Sequence, residues 1–239
     1  MKSSSRYIHH ESIHNSCAAK VILPEVFKWV NPSSVLDVGC GTGSWLKVAR
    51  ELGVEDYLGI DGPHMDLNKA VIPVERIVLI DLEKPFDLNR RFDLVICLEV
   101  AEHISPSSAE DFIYSLCHHS KFVLFSAAIP GQGGQNHLNE QWPSWWQKLF
   151  EKNGFRAYDI LRLKFWDNEK IFYWYKQNMI LYSADAISGQ ASTPHVLPLV
   201  HPDLFTARAL QLKNLQEGRL GPKISFRILL NSLFRLIRP

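Results

Sequence analysis

The sequence is poor in the features that would place it quickly. Its four cysteines, Cys17, Cys40, Cys97 and Cys117, form no Cys-x-x-Cys pair. A zinc ribbon and a dithiol redox centre are therefore excluded, and a reduced, cytoplasmic chain is the simplest expectation. Net charge is almost absent, with 26 Lys and Arg against 25 Asp and Glu. A dedicated nucleic-acid binder carries a basic excess, so nucleic acid is not expected as a partner. No unbroken apolar run approaches the ~20 residues of a spanning helix. The opening residues, Met1–Glu11, lack the apolar centre of a signal peptide. Internal repeats and low-complexity tracts are missing. So is the Gly-x-Gly-x-x-Gly spacing of a dinucleotide site, which argues against a nicotinamide-dependent oxidoreductase.

What is present is a core-forming chain. Hydrophobic residues make up 46% and charged residues 21% of 239 positions, enough for one α/β domain with additions. The informative stretch is Val35-Leu-Asp-Val-Gly-Cys-Gly-Thr-Gly-Ser-Trp-Leu46. It reads as a buried strand, a Gly-x-Gly-x-Gly turn and a helix start. Glycine allows positive φ and close approach of a ligand to the backbone, and a helix N-terminus offers unbonded N–H groups to the same place. Further strands follow at Asp56–Asp61, Arg76–Leu82 and Phe92–Glu99, each ending on an acid or just past one: Asp61, Asp81 and Glu99. In a parallel sheet those ends share one rim, where open α/β sheets bind ligands. Asp61 lies 20 residues beyond Gly41, where an acid grips a ribose diol.

The remaining chain supplies the frame. Residues 1–15 form a polar lead in which His9, His10 and His14 read as flexible rather than metal-binding. Asn15–Val30 reads as a helix, with Pro24 suggesting a kink. Strands are expected at Lys121–Ala128, Phe155–Leu163 and Asn178–Ser183, and a helix over Pro143–Lys152. Between them Ile129–Gln141 is a loop rich in glycine and amides. The expected domains are 1–32, a lead and helix; 33–183, the ligand-binding domain; and 184–239, a linker and tail.

Over Ser33–Tyr182 the sequence resembles the class I S-adenosylmethionine-dependent methyltransferases, with Asp37-Val-Gly-Cys-Gly-Thr-Gly43 similar to their first motif. The resemblance implies a doubly wound, Rossmann-like α/β fold: a seven-stranded, mostly parallel sheet with an antiparallel edge strand, here with a helical C-terminal extension. It implies that Asp37, Gly39, Cys40, Gly41 and Gly43 hold the methionine part of S-adenosylmethionine. Asp61 and Gly62 would meet the ribose, Asp81 and Leu82 the adenine, and Glu99 would position cofactor or loop. The block Phe125–Pro143 and Trp174–Asn178 resemble the subgroup found in bacterial cell-surface glycan biosynthesis, implying a glycan or small-molecule acceptor. Glu99-Val-Ala-Glu102-His103 also resembles metal-binding versions of the fold, which admits Mg²⁺ as a second cofactor.

Transfer of a methyl group to a hydroxyl needs a base. His103, just past the fourth strand, is the leading candidate, and His137 in the loop after strand five is the second. Glu102 would orient His103. Trp142 and Trp145, beside that loop, are candidates for an acceptor pocket, whereas Trp146 and Phe150 fall at core spacing. The sequence thus reads as a methyltransferase acting on a hydroxyl, or less readily an amine, of a sugar or sugar-bearing small molecule. A catalytically silent S-adenosylmethionine-binding partner protein is the alternative. The tail adds a last expectation: Phe226, Leu229, Leu230, Leu233, Phe234 and Ile237 share a helical stripe, opposite Arg227, Asn231, Arg235 and Arg238. It suits peripheral contact with the inner membrane face, a partner, the protein's own core or a second copy of it. The oligomeric state is open.

Overall fold

The computed structural model describes residues 16–219 and 221–237, with side chains to 234. The polar lead and its three histidines lie outside them. The chain forms two compact units, one ending at Leu199 and one beginning at Val200.

The first unit is a seven-stranded sheet in the order β3-β2-β1-β4-β5-β7-β6. Its strands are β1 (Ser34–Val38), β2 (Asp56–Asp61), β3 (Ile77–Leu79), β4 (Leu94–Leu98), β5 (Phe122–Ser126), β6 (Arg156–Tyr158) and β7 (Ile180–Ser183). The first five run parallel. β7 runs against β5, and the edge strand β6 runs against β7. Both faces of the sheet are covered, so the central strands alternate between two cores rather than between core and water. Val35, Ile96 and Leu124 pack under α1 (Cys17–Val30) and α2 (Ser44–Glu51). Leu36, Val38, Val95, Cys97, Val123 and Phe125 pack under α3 (Ala109–His119) and α4 (Pro143–Lys152). Phe150 of α4 stacks on Tyr182 of β7 with centroids 3.8 Å apart. Of the cysteines, Cys40, Cys97 and Cys117 are buried and Cys17 is exposed.

Three local expectations shift. α1 runs unbroken through Pro24; a proline inside a helix removes only one N–H bond, and packing of Ala19, Ile22, Leu23 and Val26 outweighs that loss. The strand expected over Phe155–Leu163 stops at Tyr158, and the chain turns into a short helix, α5 (Arg162–Phe165). The cause is Arg162, whose guanidinium is wholly buried against Asp159 and donates to the carbonyls of Gln177 and Leu197. A second short helix, α6 (Tyr173–Asn178), then leads into β7.

The third shift concerns the segment after β7, expected to be a linker. Residues 184–199 have no helix or strand, yet they are fastened to the sheet edge. The Thr193 N–H donates to Ala157 O at 2.8 Å, the Val196 N–H to Gln147 Oε1 at 2.9 Å, and Gln147 Nε2 to Pro194 O at 2.9 Å. Composition carries no sign of these bonds, because each joins residues far apart in the sequence. The second unit contains α7 (Pro202–Gln216) and α8 (Pro222–Ile237).

Candidate active site

The C-terminal ends of β1, β2, β4 and β5 bring the sequence's candidate residues to one rim. Asp37 sits on β1, 3% exposed, and its Oδ2 has no hydrogen-bond partner. Burial, with the neighbouring Asp61 charge adding to it, pushes its pKa up to about 8. A carboxylate in that state is incomplete, and a cationic ligand group would complete it. The turn that follows is as tight as its glycines imply. Gly39 has φ +75°, and a Cβ there would collide with the Val100 side chain. Gly43 has φ +82°, and its Cβ would fall 2.6 Å from Ile72 Cγ1. α2 starts directly after Gly43, so the N–H groups of its first turn lack carbonyl partners within the helix.

Asp61, at the end of β2, is tied to this turn. Its Oδ2 accepts the Gly41 N–H at 2.7 Å and its Oδ1 the Gly62 N–H at 2.6 Å. It therefore fixes the turn's shape. Cys40 turns inward instead: its Sγ would lie 2.6 Å from a Cβ on Gly59, so only its backbone belongs to the turn. Asp81 lies two residues beyond β3, half exposed, and pairs with Lys84 at 3.1 Å. The Lys84 ammonium and the Glu83 N–H lower its pKa. Leu82 beside it is buried.

The tip of β4 carries the second half of the site. Glu99 adopts φ +55°, an uncommon conformation for a residue with a Cβ. Its N–H meets Ser126 of β5. Its carboxylate accepts Gln132 Nε2 at 2.8 Å and Asn178 Nδ2 at 3.1 Å. Gln132 Oε1 in turn accepts from Gln177 and Asn178. A polar network thus joins the β4 tip, the loop after β5 and α6. Burial raises the Glu99 pKa against the opposing effect of these bonds.

Glu102, His103 and His137 converge beside it. Glu102 is 1% exposed, and its Oε2 has no partner. Its carbonyl accepts the Leu138 and Asn139 N–H groups, so the loop is stitched to the β4 tip. Burial, then the Glu99 charge, drives its pKa well up. The His103 and His137 rings meet edge to face with centroids 5.0 Å apart. Burial, then His137, lowers the His103 pKa to about 4, so the ring is neutral at pH 7. His103 Nδ1 faces Asn136 O at 3.3 Å, and His137 Nδ1 faces Glu140 Oε1 at 2.8 Å. One ligand atom from each of Glu102, His103 and His137 lies within 4.8 Å of the others.

Glu140 was not foreseen. Besides meeting His137, it accepts the Gly131 N–H at 2.8 Å and the Gly133 N–H at 2.6 Å. Burial opposes its charge, but the bonds from His137 and the two glycines prevail and lower its pKa. The only sequence signal was an acid three residues after a histidine in a glycine-rich loop. Of the aromatics, Trp146 is buried while Trp142 is 39% exposed, and Trp145 packs edge-on to Trp146 at 4.7 Å.

A sequence profile described as "Methyltransferase domain" matches residues 12–166. The chain belongs to the methyltransferase-domain family. The methyltransferase also resembles solved structures over about three quarters of its length. The methyltransferase domain of bacterial CtHen1-C is 22% identical, covering 71% of this chain and 98% of its own, with a TM-score of 0.53. The sugar N-methyltransferase KedS8 from Streptoalloteichus sp ATCC 53650 is 15% identical, covering 77% and 97%, with a TM-score of 0.56. CalS10 from Micromonospora echinaspora, an amino pentose methyltransferase with S-adenosylmethionine bound, is 14% identical, covering 76% and 100%, with a TM-score of 0.54. No curated protein matches the sequence. The methyltransferase thus shares the fold of these structures. The partnerless Asp37 oxygen and a turn with no room for a Cβ at Gly39 or Gly43 fit the S-adenosylmethionine that CalS10 holds.

Proposed function

We infer that the methyltransferase methylates a hydroxyl of a sugar or sugar-bearing small molecule, with His103 accepting the proton. The observation that carries this reading is the pairing of His103 with His137 on the same rim as the glycine turn. S-adenosylmethionine supplies an activated methyl on a sulfonium. The protein's task is to hold an acceptor oxygen in line with it and to take up the hydroxyl proton as the bond forms. Asp37 and the Gly39–Gly43 turn would hold the cofactor's methionine end, Asp61 and Gly62 its ribose, and Asp81 and Leu82 its adenine. His103 is unprotonated at neutral pH, with Nε2 carrying the lone pair when Nδ1–H donates to Asn136 O. His137, held by Glu140, would share the acceptor. The exposed Trp142 offers a face on which a sugar ring stacks. A sugar N-methyltransferase and an amino pentose methyltransferase among the structural neighbours support a sugar as the acceptor, though not its hydroxyl.

Replacing His103 by Ala should lower turnover about 10²–10⁴-fold and leave S-adenosylmethionine affinity near wild type, as read by calorimetry. A labelled-methyl assay against cell extracts, with mass spectrometry of the product, tests the acceptor. No labelled product from any extract would favour the silent binding protein.

A second reading rests on Glu102. A buried carboxylate oxygen without a partner, beside two histidines whose Nδ1 atoms are already engaged, is a ligand set for a divalent ion. Bound there, the ion would supply Lewis acidity to a coordinated hydroxyl. Two nitrogens and one oxygen suit Mn²⁺, Fe²⁺ or Zn²⁺ better than Mg²⁺. Full turnover after dialysis against a chelator removes this reading. Turnover lost to chelator and restored by Mn²⁺ removes His103 as the base.

A further inference from the structure

The second unit ends in a helix that the methyl-transfer chemistry does not use. α8 spans Pro222–Ile237, about 24 Å at 1.5 Å per residue. Phe226, Leu229, Leu230, Leu233 and Phe234 recur at i, i+3, i+4, i+7 and i+8, which is one continuous stripe. These side chains are exposed, from 37% at Leu230 to 64% at Phe234. Lys223, Arg227, Asn231 and Arg235 follow at spacings of four in the sequence, a polar row beside the stripe.

Charge says what this stripe meets. After Glu217 the sequence contains Arg219, Lys223, Arg227, Arg235 and Arg238 and no acid. The preceding residues carry more acid than base, so the chain's slight positive balance comes entirely from this tail. A second copy of α8 would set like charges against each other, and an apolar groove would have no use for the basic row. An anionic bilayer matches both features: the apolar stripe enters the acyl boundary while the long basic side chains reach back to the headgroups. The helix is too short and polar to span; none of the described helices is long and apolar enough to do so.

We propose that α8 is a membrane-surface anchor that lays this stripe into an anionic lipid interface. The proposal is independent of the acceptor's identity.

The test uses the full chain and two vesicle compositions, phosphatidylcholine alone and phosphatidylcholine with about one lipid in three replaced by phosphatidylglycerol. Wild-type protein should co-sediment with the anionic vesicles at least about tenfold more strongly than with neutral ones, and salt at about 0.5 M should weaken that roughly threefold or more. The double variant Phe226→Glu/Leu233→Glu should lose binding to both. Lys223→Glu/Arg227→Glu keeps the stripe and should lose the anionic preference, about fivefold for each basic residue removed. Retained S-adenosylmethionine binding shows that both variants are folded in the first unit. Equal sedimentation of wild type and both variants overturns the proposal. So does a wild-type dimer that Phe226→Glu/Leu233→Glu dissociates while vesicles bind neither, which would make a second copy the occupant.

Discussion

Asp37 makes the clearest claim about a single residue. Its carboxyl is raised to about 8 in the fold against about 3.9 in an unfolded chain. Folding therefore takes up a proton between these values. The stability tied to it is complete below about pH 4 and is lost as pH rises toward and through 8. Cofactor-free protein should lose melting temperature from about pH 5 to pH 8, at up to about 1.4 kcal/mol per pH unit between the two pKa values. Asp37→Asn should flatten the slope and melt higher than wild type at alkaline pH; scanning fluorimetry showing the wild-type slope in the variant would refute this. Glu140 makes the second claim. Glu140→Gln keeps its size but weakens its hold on His137 and on two loop N–H groups, so kcat/KM should fall about 10–100-fold with cofactor affinity unchanged. Neither behaviour is visible in the sequence alone. Asp37 was legible as a candidate site residue because it precedes the glycines, whereas its protonation depends on how deeply the sheet buries it. Glu140 was invisible because its three partners are set by a loop conformation that no local pattern announces.

At the scale of elements, the strand-turn-helix unit was the most legible part. Gly39 tests why. A Cβ at that position meets Val100 at the tip of β4, and the φ of +75° is unfavourable for any L residue. Gly39→Ala should abolish measurable S-adenosylmethionine binding and lower stability by about 1–3 kcal/mol. Adding Val100→Ala should recover part of the stability, since it removes the collision but not the backbone strain. A double variant no more stable than the single one would show that strain alone carries the cost. The central strands were equally legible, because burial on both faces yields continuous apolar runs such as Leu94–Leu98. Phe155–Leu163 was misleading. Its apolar residues, interrupted by Arg156, Asp159 and Arg162, read alike whether they continue a strand or wrap around a buried Arg162, and only partners at Gln177 and Leu197 decide between them.

At the scale of the whole first unit, Arg162 links the sheet edge to the segment after β7 and, through Gln177, to the network around Glu99. Arg162→Met should destabilise the protein by about 3–5 kcal/mol, because it strands the Asp159 carboxylate and frees two carbonyls. The 184–199 segment should then become protease-sensitive before the rest of the unit, as mass spectrometry of timed digests would show. The distribution of cysteines gives this unit a built-in reporter. Cys40, Cys97 and Cys117 are sealed in the two cores, and burial drives their thiols well above the ordinary range. Cys17, at the start of α1, is exposed. A maleimide dye should thus couple stoichiometrically to one position without any mutation. The mass added over time, one label in the native protein and four once it opens, would count molecules that have lost their core.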